Sequence, residues 1–370
     1  MHELLALKYI DINLAIALQV VLLGFIGGIL SGFIGSGGAF FMTPGMMNLG
    51  VEGVVAVASN ITHKFGKAMV GSRSHGAAGN VDRRLAAFIL ITAIGGIQLA
   101  VWINIHLFKG SGDSHGAGGS AAANLYISLV FVCILSVVSI WMLKDALRTV
   151  GNGDDATGPS RRISDFLARL NLPPVIYFRV ADTKVSLWVL MAVGVATGYL
   201  AGTIGVGGFI GVPAMIYIFG VPTAVAAGTE LYLAMFMGAY GALSYAYHGL
   251  LDIRLTMLLY LGSLIGIHLG VYGVKVVNER YIRITTSLII LLCVVSRGIA
   301  IPVYLRQLQF ISFDPAWDHL LNLASKSFLF ASGCGGAIVI LYQVIKAFKR
   351  RRKIQKTLLV VHEPATGQVM

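Results

Sequence analysis

The sequence predicts an all-α polytopic membrane protein with an inverted repeat, in which about seven full spans accompany two glycine-rich broken or re-entrant hairpins. Three observations lead to this fold class: the composition, an internal duplication and the placement of basic residues. Hydrophobic residues make up 56% of the 370 residues, charged residues only 12%, and the mean hydropathy is +0.80. A chain of that composition has too few polar side chains for a water-soluble surface.

The duplication is visible as a glycine-rich motif that occurs twice. The stretch from Gly28 to Gly38 returns 170 residues later as the stretch from Gly198 to Gly208. Identical residues, many of them glycines, continue through the flanking apolar segments, so the repeat relates residues 24–99 to residues 194–269. Two copies of a hydrophobic unit interrupted by glycine are typical of membrane proteins built from structural repeats.

Hydropathy divides the chain into nine apolar segments. Two of them, 14–47 and 185–218, are too long for one upright helix, and each is interrupted by its glycine cluster and then by a proline. Because glycine lets a helix stop inside the membrane, we expect a hairpin in each, with a pair of short crossings as the alternative. The other seven have the length of about 20 residues that a full span needs. They are 53–72, 85–108, 124–147, 222–247, 255–277, 284–306 and 321–345.

Basic residues predict the sides on which the loops lie. The net charge of +12 gathers in residues 64–84, 144–184 and 346–353. Basic runs beside apolar spans mark the cytoplasmic side of a membrane, and they are not a reason to expect a nucleic acid partner. Counting back from a cytoplasmic tail, with both glycine-rich segments as hairpins, the loop 73–84 is inside and its partner 243–254 is outside. The two copies are therefore predicted to be inverted relative to each other.

These segments set the expected domain boundaries. The three cysteines lie far apart in apolar segments, which fits neither a disulfide framework nor a metal site, so no cofactor and no metal are expected. The expected units are a first transmembrane repeat over 1–148, a cytoplasmic linker over 149–183, an inverted second repeat over 184–306, an additional transmembrane helix over 307–348 and a basic cytoplasmic tail over 349–370.

The glycine clusters are the first candidate site. Glycine adopts positive φ values easily, and a helix that stops at mid-membrane leaves backbone N–H groups that attract an anion. Close helix packing through small residues is the alternative explanation. The predicted binding residues are Gly35, Ser36, Gly37 and Gly38 in the first copy and Gly205, Val206, Gly207 and Gly208 in the second.

Polar residues within the spans are the second candidate group, because charge at that depth is costly and is usually functional. Asn60 and Glu230 occupy matching positions in the two copies. Glu230 is either a proton-coupling group or a buried structural acid, and Asn60 is a candidate substrate ligand. Arg297 lies near the middle of its span and either pairs with Glu230 or faces the path of the anion.

Three basic residues share the helix that follows the first glycine cluster. His63 and Lys64 are candidate anion ligands, with a structural role as the alternative for each. Lys67 lies on the same face as His63, since residues four apart on a helix are neighbours. Its long side chain either adds to this positive charge or reaches the cytoplasmic surface.

Three motifs that occur in both copies resemble those of a known family. The glycine motif is followed by a proline, then by Ala-x-x-(Ser/Thr) starting at Ala56 and Ala226, and then by Gly-x-x-Asp-x-Arg starting at Gly79 and Gly249. In this respect the chain resembles the sulfite exporter TauE/SafE family over most of residues 20–300. The resemblance implies a prokaryotic or plant membrane protein that moves sulfur-containing anions such as sulfite or organosulfonates.

The motifs and the resemblance together predict a secondary transporter, an exporter of a small sulfur-containing anion, that works by alternating access between the inverted repeats. We expect it in the inner membrane of a prokaryote, with the anion, membrane lipid and a coupling proton as its partners. The sequence has no Walker-type phosphate loop, so ATP does not drive transport through this chain. An anion channel on the same scaffold and a membrane-bound redox or assembly factor are the alternatives, and no enzyme activity is expected. The oligomeric state stays open.

Overall fold

The computed structural model describes residues 10–34, 38–109, 117–151, 172–276 and 279–361. In these ranges the chain forms eleven α-helices and one two-stranded sheet. Seven of the helices are long and apolar enough to cross a membrane by length and composition. The prediction of an all-α polytopic membrane protein is confirmed.

The first copy consists of five helices. The second helix is short and contains a proline. The glycine cluster lies between the first and the second helix, and its residues 35–37 lie outside the described ranges. The five are α1 (Leu14–Ile34), α2 (Ala39–Asn48), α3 (Gly53–Ala77), α4 (Arg83–Lys109) and α5 (Ala117–Gly151).

The second copy repeats this order of elements. The fourth helix of each copy begins 170 residues from its counterpart, and so does the third. A π-helical turn over Ala214–Ile218 extends the short second helix. The helices are α6 (Leu187–Ile204), α7 (Gly208–Pro213), α8 (Thr223–Tyr247), α9 (Ile253–Val276) and α10 (Glu279–Gln307).

Two elements differ from the predicted domain boundaries. The last helix, α11 (Ala316–Val361), continues through the basic run where a separate tail was expected from residue 349. Lysine and arginine are good helix formers, so the change from apolar to basic residues does not end the helix. In the predicted linker, β1 (Val175–Phe178) pairs with β2 (Thr183–Ser186) in an antiparallel hairpin. This short run of β-branched and aromatic residues was missed because so short a pattern is a weak signal.

Each glycine-rich segment folds back on itself. The backbone of Gly45 in α2 lies against the side chain of Leu23 in α1, and the backbone of Gly211 in α7 lies beside Thr197 in α6. In each segment, residues near the C-terminal end contact residues nearer the N-terminal end, so the two helices of the segment run antiparallel. We call α1 with α2 hairpin 1, and α6 with α7 and the π-helical turn hairpin 2. That each hairpin enters and leaves the membrane on one face stays a prediction.

The helices α3 and α8 pack against each other and are the least apolar of the long helices in the two copies. Both were predicted as full spans, at 53–72 and 222–247, and both form helices of 25 residues. Neither is among the seven apolar helices, whereas the long first arms of the hairpins are. The reason is that these two helices carry the buried polar groups described below.

The first arm of each hairpin packs against the other copy. The helix α1 lies along α9, and α6 lies along α4. Glycine makes both approaches close: Gly266 faces the backbone of Phe25, and Gly96 faces the backbone of Val195 and Tyr199. Small residues therefore let the two copies interlock, as is usual for helices packed inside a membrane.

Two neighbouring glycines of α4 test this packing. Gly96→Ala places a Cβ against the backbone of α6, so we expect the free energy of unfolding to fall by about 1–3 kcal/mol. At Gly95 nothing lies within 4 Å of the same atom, so Gly95→Ala is the matched control and gains up to about 1 kcal/mol from helix propensity. Thermal unfolding of the purified variants in detergent measures both, and equal unfolding temperatures contradict the close contact.

Candidate functional site

The two hairpins meet at a buried hydroxyl group. Thr43 in α2 donates its Oγ1 hydrogen to the carbonyl oxygen of Ile204, the last residue of α6, over 3.0 Å. This carbonyl is one of those that the end of α6 leaves without a helical partner. The end of one broken helix is thus satisfied by a side chain of the other hairpin.

Asn60 in α3 holds the second arm of hairpin 1. Its Nδ2 donates to the carbonyl oxygen of Ala39 over 2.9 Å and to Oγ1 of Thr43 over 2.8 Å. The side chain is fully buried. Asn60 therefore ties α2 to α3 at the point where the hairpins touch.

The end of α6 has the conformation that its glycine allows. Gly205 has a φ of +77°, and a Cβ there would lie 2.8 Å from Nδ2 of Asn60. A side chain is excluded both by the backbone conformation and by the contact. Next to this contact, the rings of Phe40 and Phe209 lie 5.3 Å apart and join α2 to α7.

An ion pair links α3 to α8. Nζ of Lys64 lies 3.6 Å from Oε1 of Glu230, and both side chains are buried. The carboxylate lies against the bare backbone of Gly211 in hairpin 2. Neither carboxylate oxygen has a hydrogen-bond donor among the described residues. Glu230 thus contacts a lysine of the first copy and the hairpin of its own, second copy.

The remaining basic groups of α3 contact hydroxyl groups. Nζ of Lys67 donates to Oγ of Ser31 in α1 over 3.0 Å, and Lys67 is only 8% exposed. Nε2 of His63 and Oγ of Ser263 in α9 are 2.6 Å apart. Of the two alternatives for Lys67, the structure agrees with the buried position and not with a side chain that reaches the surface.

Arg297 occupies a separate cluster. Its guanidinium group donates to Oδ1 of Asn48 over 2.8 Å, to Oγ of Ser128 over 3.0 Å and to the hydroxyl of Tyr304 over 2.8 Å. Pairing of Arg297 with Glu230, one of the two alternatives from the sequence, is not observed. Arg297 of α10 instead joins Asn48, at the end of hairpin 1, to Ser128 of α5.

A second buried acid lies near the start of α8. The backbone N–H of Asp82 donates to Oγ1 of Thr229 over 3.0 Å, and its Oδ1 accepts the N–H of Leu85 as a cap of α4. His75, at the end of α3, contacts Gly228. Burial lowers the pKa of His75, so this imidazole is neutral at neutral pH.

The structure brings part of the predicted site together. Asn60 contacts Gly205 at the meeting point of the hairpins, and Lys64 and Glu230 form a second pair, which lies against Gly211 of hairpin 2. Sequence reasoning missed the hydroxyl groups that join the elements, although a hydroxyl residue in an apolar segment is a usable signal. Val206, Gly207 and Gly208 lie at the start of α7 and Gly38 lies at the start of α2. Gly35, Ser36 and Gly37 lie outside the described residues.

The chemistry of the site is that of binding. Among the described residues no group of three or more His, Cys, Asp or Glu side chains could hold a metal ion. Hydroxyl, amide, ammonium and imidazole groups are present instead, and all of them can bind an oxyanion.

Thr43 tests the junction between the hairpins. Thr43→Val keeps the shape but leaves the Ile204 carbonyl and one Asn60 hydrogen unpaired, so we expect a loss of about 1–3 kcal/mol in the free energy of unfolding. Thr62→Val is the matched control, because Thr62 only returns a hydrogen bond to Ala58 of its own helix. Thermal unfolding in detergent compares the two, and equal losses contradict a joining role for Thr43.

Comparison with known proteins identifies the family of the chain. A family model described as Sulfite exporter TauE/SafE matches residues 20–297. The probable membrane transporter protein YjnA of Bacillus subtilis (strain 168) is 24% identical over 255 residues, which cover 69% of this chain and 89% of that protein. No solved structure gives a significant match. The chain is therefore an integral membrane protein and a membrane transporter, not an enzyme, and it belongs to the sulfite exporter TauE/SafE family.

Proposed function

We propose that the protein is a secondary transporter that exports a small sulfur-containing anion, such as sulfite or an organosulfonate. The anion binds where hairpin 1 and hairpin 2 meet, against the basic face of α3. The name of the family supports the class of substrate. The contacts of the described residues support the place.

The observation that carries this proposal is a buried excess of positive charge. Lys64 and Lys67 are one turn apart on α3, and Glu230 is the acid that pairs with Lys64. Among the ion pairs between described residues, none includes Lys67, whose Nζ bonds to the neutral hydroxyl of Ser31. Removing an unpaired ammonium from water is costly, and an anion that binds beside it repays that cost.

The arrangement of the hairpins supports alternating access. Lys67 contacts α1 of hairpin 1, and Lys64 reaches hairpin 2 through Glu230 and Gly211. A substrate bound to both lysines of the first copy therefore lies beside Glu230 and hairpin 2 of the second copy. If the copies are inverted, as the basic loops predict, rocking of one copy against the other exposes this place to each face in turn. We also propose a cytoplasmic C-terminal tail, which the same basic loops support, and the inner membrane of a prokaryote, which the bacterial relative supports.

The test of this function is anion flux into vesicles. The full chain is reconstituted in phosphatidylethanolamine and phosphatidylglycerol vesicles, and uptake of sulfite, sulfate, thiosulfate, methanesulfonate and acetate is measured against protein-free vesicles. We expect saturable flux of the sulfur oxyanions and little flux of acetate. Absence of flux for every anion contradicts the transport site, and flux that does not saturate identifies a channel instead.

Lys67 tests the charge that defines the site. Lys67→Gln keeps a hydrogen-bonding group for Ser31 and removes the charge, so we expect the rate at low anion concentration to fall by about tenfold or more. Lys326→Gln is the matched control, because Lys326 in α11 also bonds a neutral side chain, that of Gln19 near the start of α1, but does not lie on the basic face of α3. Equal rates for the two variants in the same flux assay contradict a role of Lys67 in binding.

Gly205 tests the junction in the transport cycle. Gly205→Ala puts a Cβ at positive φ against Asn60, so we expect flux to fall by more than about tenfold while the protein still inserts. Gly50→Ala has the same kind of backbone strain, at a φ of +91°, but nothing lies within 4 Å of its Cβ. Flux through this control stays within about twofold of the parent. If both variants lose flux alike, backbone strain and not the contact with Asn60 is responsible.

A further inference from the structure

We propose that Glu230 competes with the transported anion for Lys64, so that each anion is carried together with one proton bound to Glu230. This inference rests on the proposed function and adds to it a coupled ion, a stoichiometry and the residue that carries the proton.

The contact between Glu230 and Lys64 is loose for a buried ion pair. The 3.6 Å between Nζ and Oε1 exceeds hydrogen-bond length, and neither carboxylate oxygen accepts a hydrogen bond from the described residues. A buried carboxylate normally has several donors, because burial removes its water. An ion pair that lacks them is easily exchanged for another anion that brings the same charge.

The surroundings of Glu230 leave Lys64 as its direct charged partner. In hairpin 2 it lies against the backbone of Gly211, and the side chain of Thr197 on α6 lies beside the same glycine. On α3 the basic groups next to Lys64 are His63 and, one turn further on, Lys67. At the start of α8 the titratable groups are His75, beside Gly228, and Asp82, which binds Thr229 through its backbone.

Asn60, the counterpart of Glu230 in the first copy, shows which hydrogen bonds an uncharged side chain makes at this position. Asn60 and Glu230 are equivalent residues of the two copies, and each lies against the second arm of its own hairpin. Asn60 donates two hydrogen bonds to that arm, at Ala39 and Thr43, whereas Glu230 contacts Gly211 without one. A carboxylate accepts and does not donate, so Glu230 can bond to a hairpin carbonyl only after it gains a proton.

The exchange keeps charge and atoms in balance. A proton from solvent joins one oxygen of the Glu230 carboxylate and gives the neutral acid, which leaves Lys64 for an acceptor on hairpin 2. A monovalent anion takes the vacated place, so one ion pair replaces another and the buried charge stays the same. One proton and one monovalent anion then cross together with no net charge. Export follows the outward gradient of the anion and takes a proton with it.

The experiment measures proton movement with anion movement in vesicles that hold the full chain and a pH dye. Methanesulfonate is the probe, because it is the monovalent anion of a strong acid and does not cross as a neutral molecule. We expect anion flux to change the lumen pH. At low anion concentration the rate should rise about tenfold for each unit of pH decrease while Glu230 is mostly ionised. It should level off once the acid is mostly protonated.

Three variants separate the coupling role from a structural one. Glu230→Gln mimics the protonated acid, so it should carry the anion at a rate that does not depend on pH and without moving protons. The double variant Lys64→Gln with Glu230→Gln removes both charges, so it should fold but lose flux, even if the single variant proves unstable. Asp318→Asn is the control, because it removes an acid from an ion pair with Arg306 at the start of α11 and should keep the parent pH profile.

The outcomes distinguish this inference from the proposed function. If the parent protein carries no anion of the panel, the transport site itself is contradicted. If it carries methanesulfonate without any change in lumen pH, transport stands and the proton coupling is wrong. The coupling is also overturned if Glu230→Gln keeps the pH profile of the parent, or if the double variant carries the anion at the parent rate.

Discussion

The structure depends on the hydrogen bond between Thr43 and the end of α6, because a helix that stops among apolar residues leaves polar backbone groups that lipid cannot satisfy. Hairpin 1 supplies the hydrogen-bond donor that the end of α6 in hairpin 2 lacks. Thr43 receives a hydrogen from Asn60 and gives one to Ile204, so α2, α3 and α6 are joined at one buried point. The end of α6 is therefore paired only while the two hairpins stay in contact.

The two copies share an architecture but use equivalent residues differently. Asp82 and Asp252 both begin a helix, yet Oδ2 of Asp252 binds Arg254 at 2.7 Å whereas Oδ2 of Asp82 accepts the N–H groups of Val180 and Ala181 in the β-hairpin. The first copy is thus fastened to the segment that connects the copies. Asn60 and Glu230 differ in the same way, since the amide clamps its hairpin and the acid does not.

Much of the fold followed from local patterns. Every predicted full span contains a helix, and both glycine clusters interrupt helices, because hydropathy and glycine act over a few residues. The patterns failed where the signal was short or mixed. The β-hairpin at residues 175–186 lies in a region predicted as linker, and α11 continues past the expected end of its span. The candidate site was found as a group of polar residues in apolar helices, but the hydroxyl partners Ser31, Thr43 and Ser263 were not.

The sequence by itself determined that the chain is helical, that it lies in a membrane, that it is duplicated and where its helices break, since each of these follows from composition or from residues close together in the chain. Only the tertiary structure decided which buried groups meet. Lys64 lies with Glu230, and Arg297 lies with Asn48 and Tyr304, although the sequence allowed a pair of Arg297 and Glu230. These partners are distant in the chain, and the packing of α3 on α8 and of α10 on α5 sets which side chains face each other.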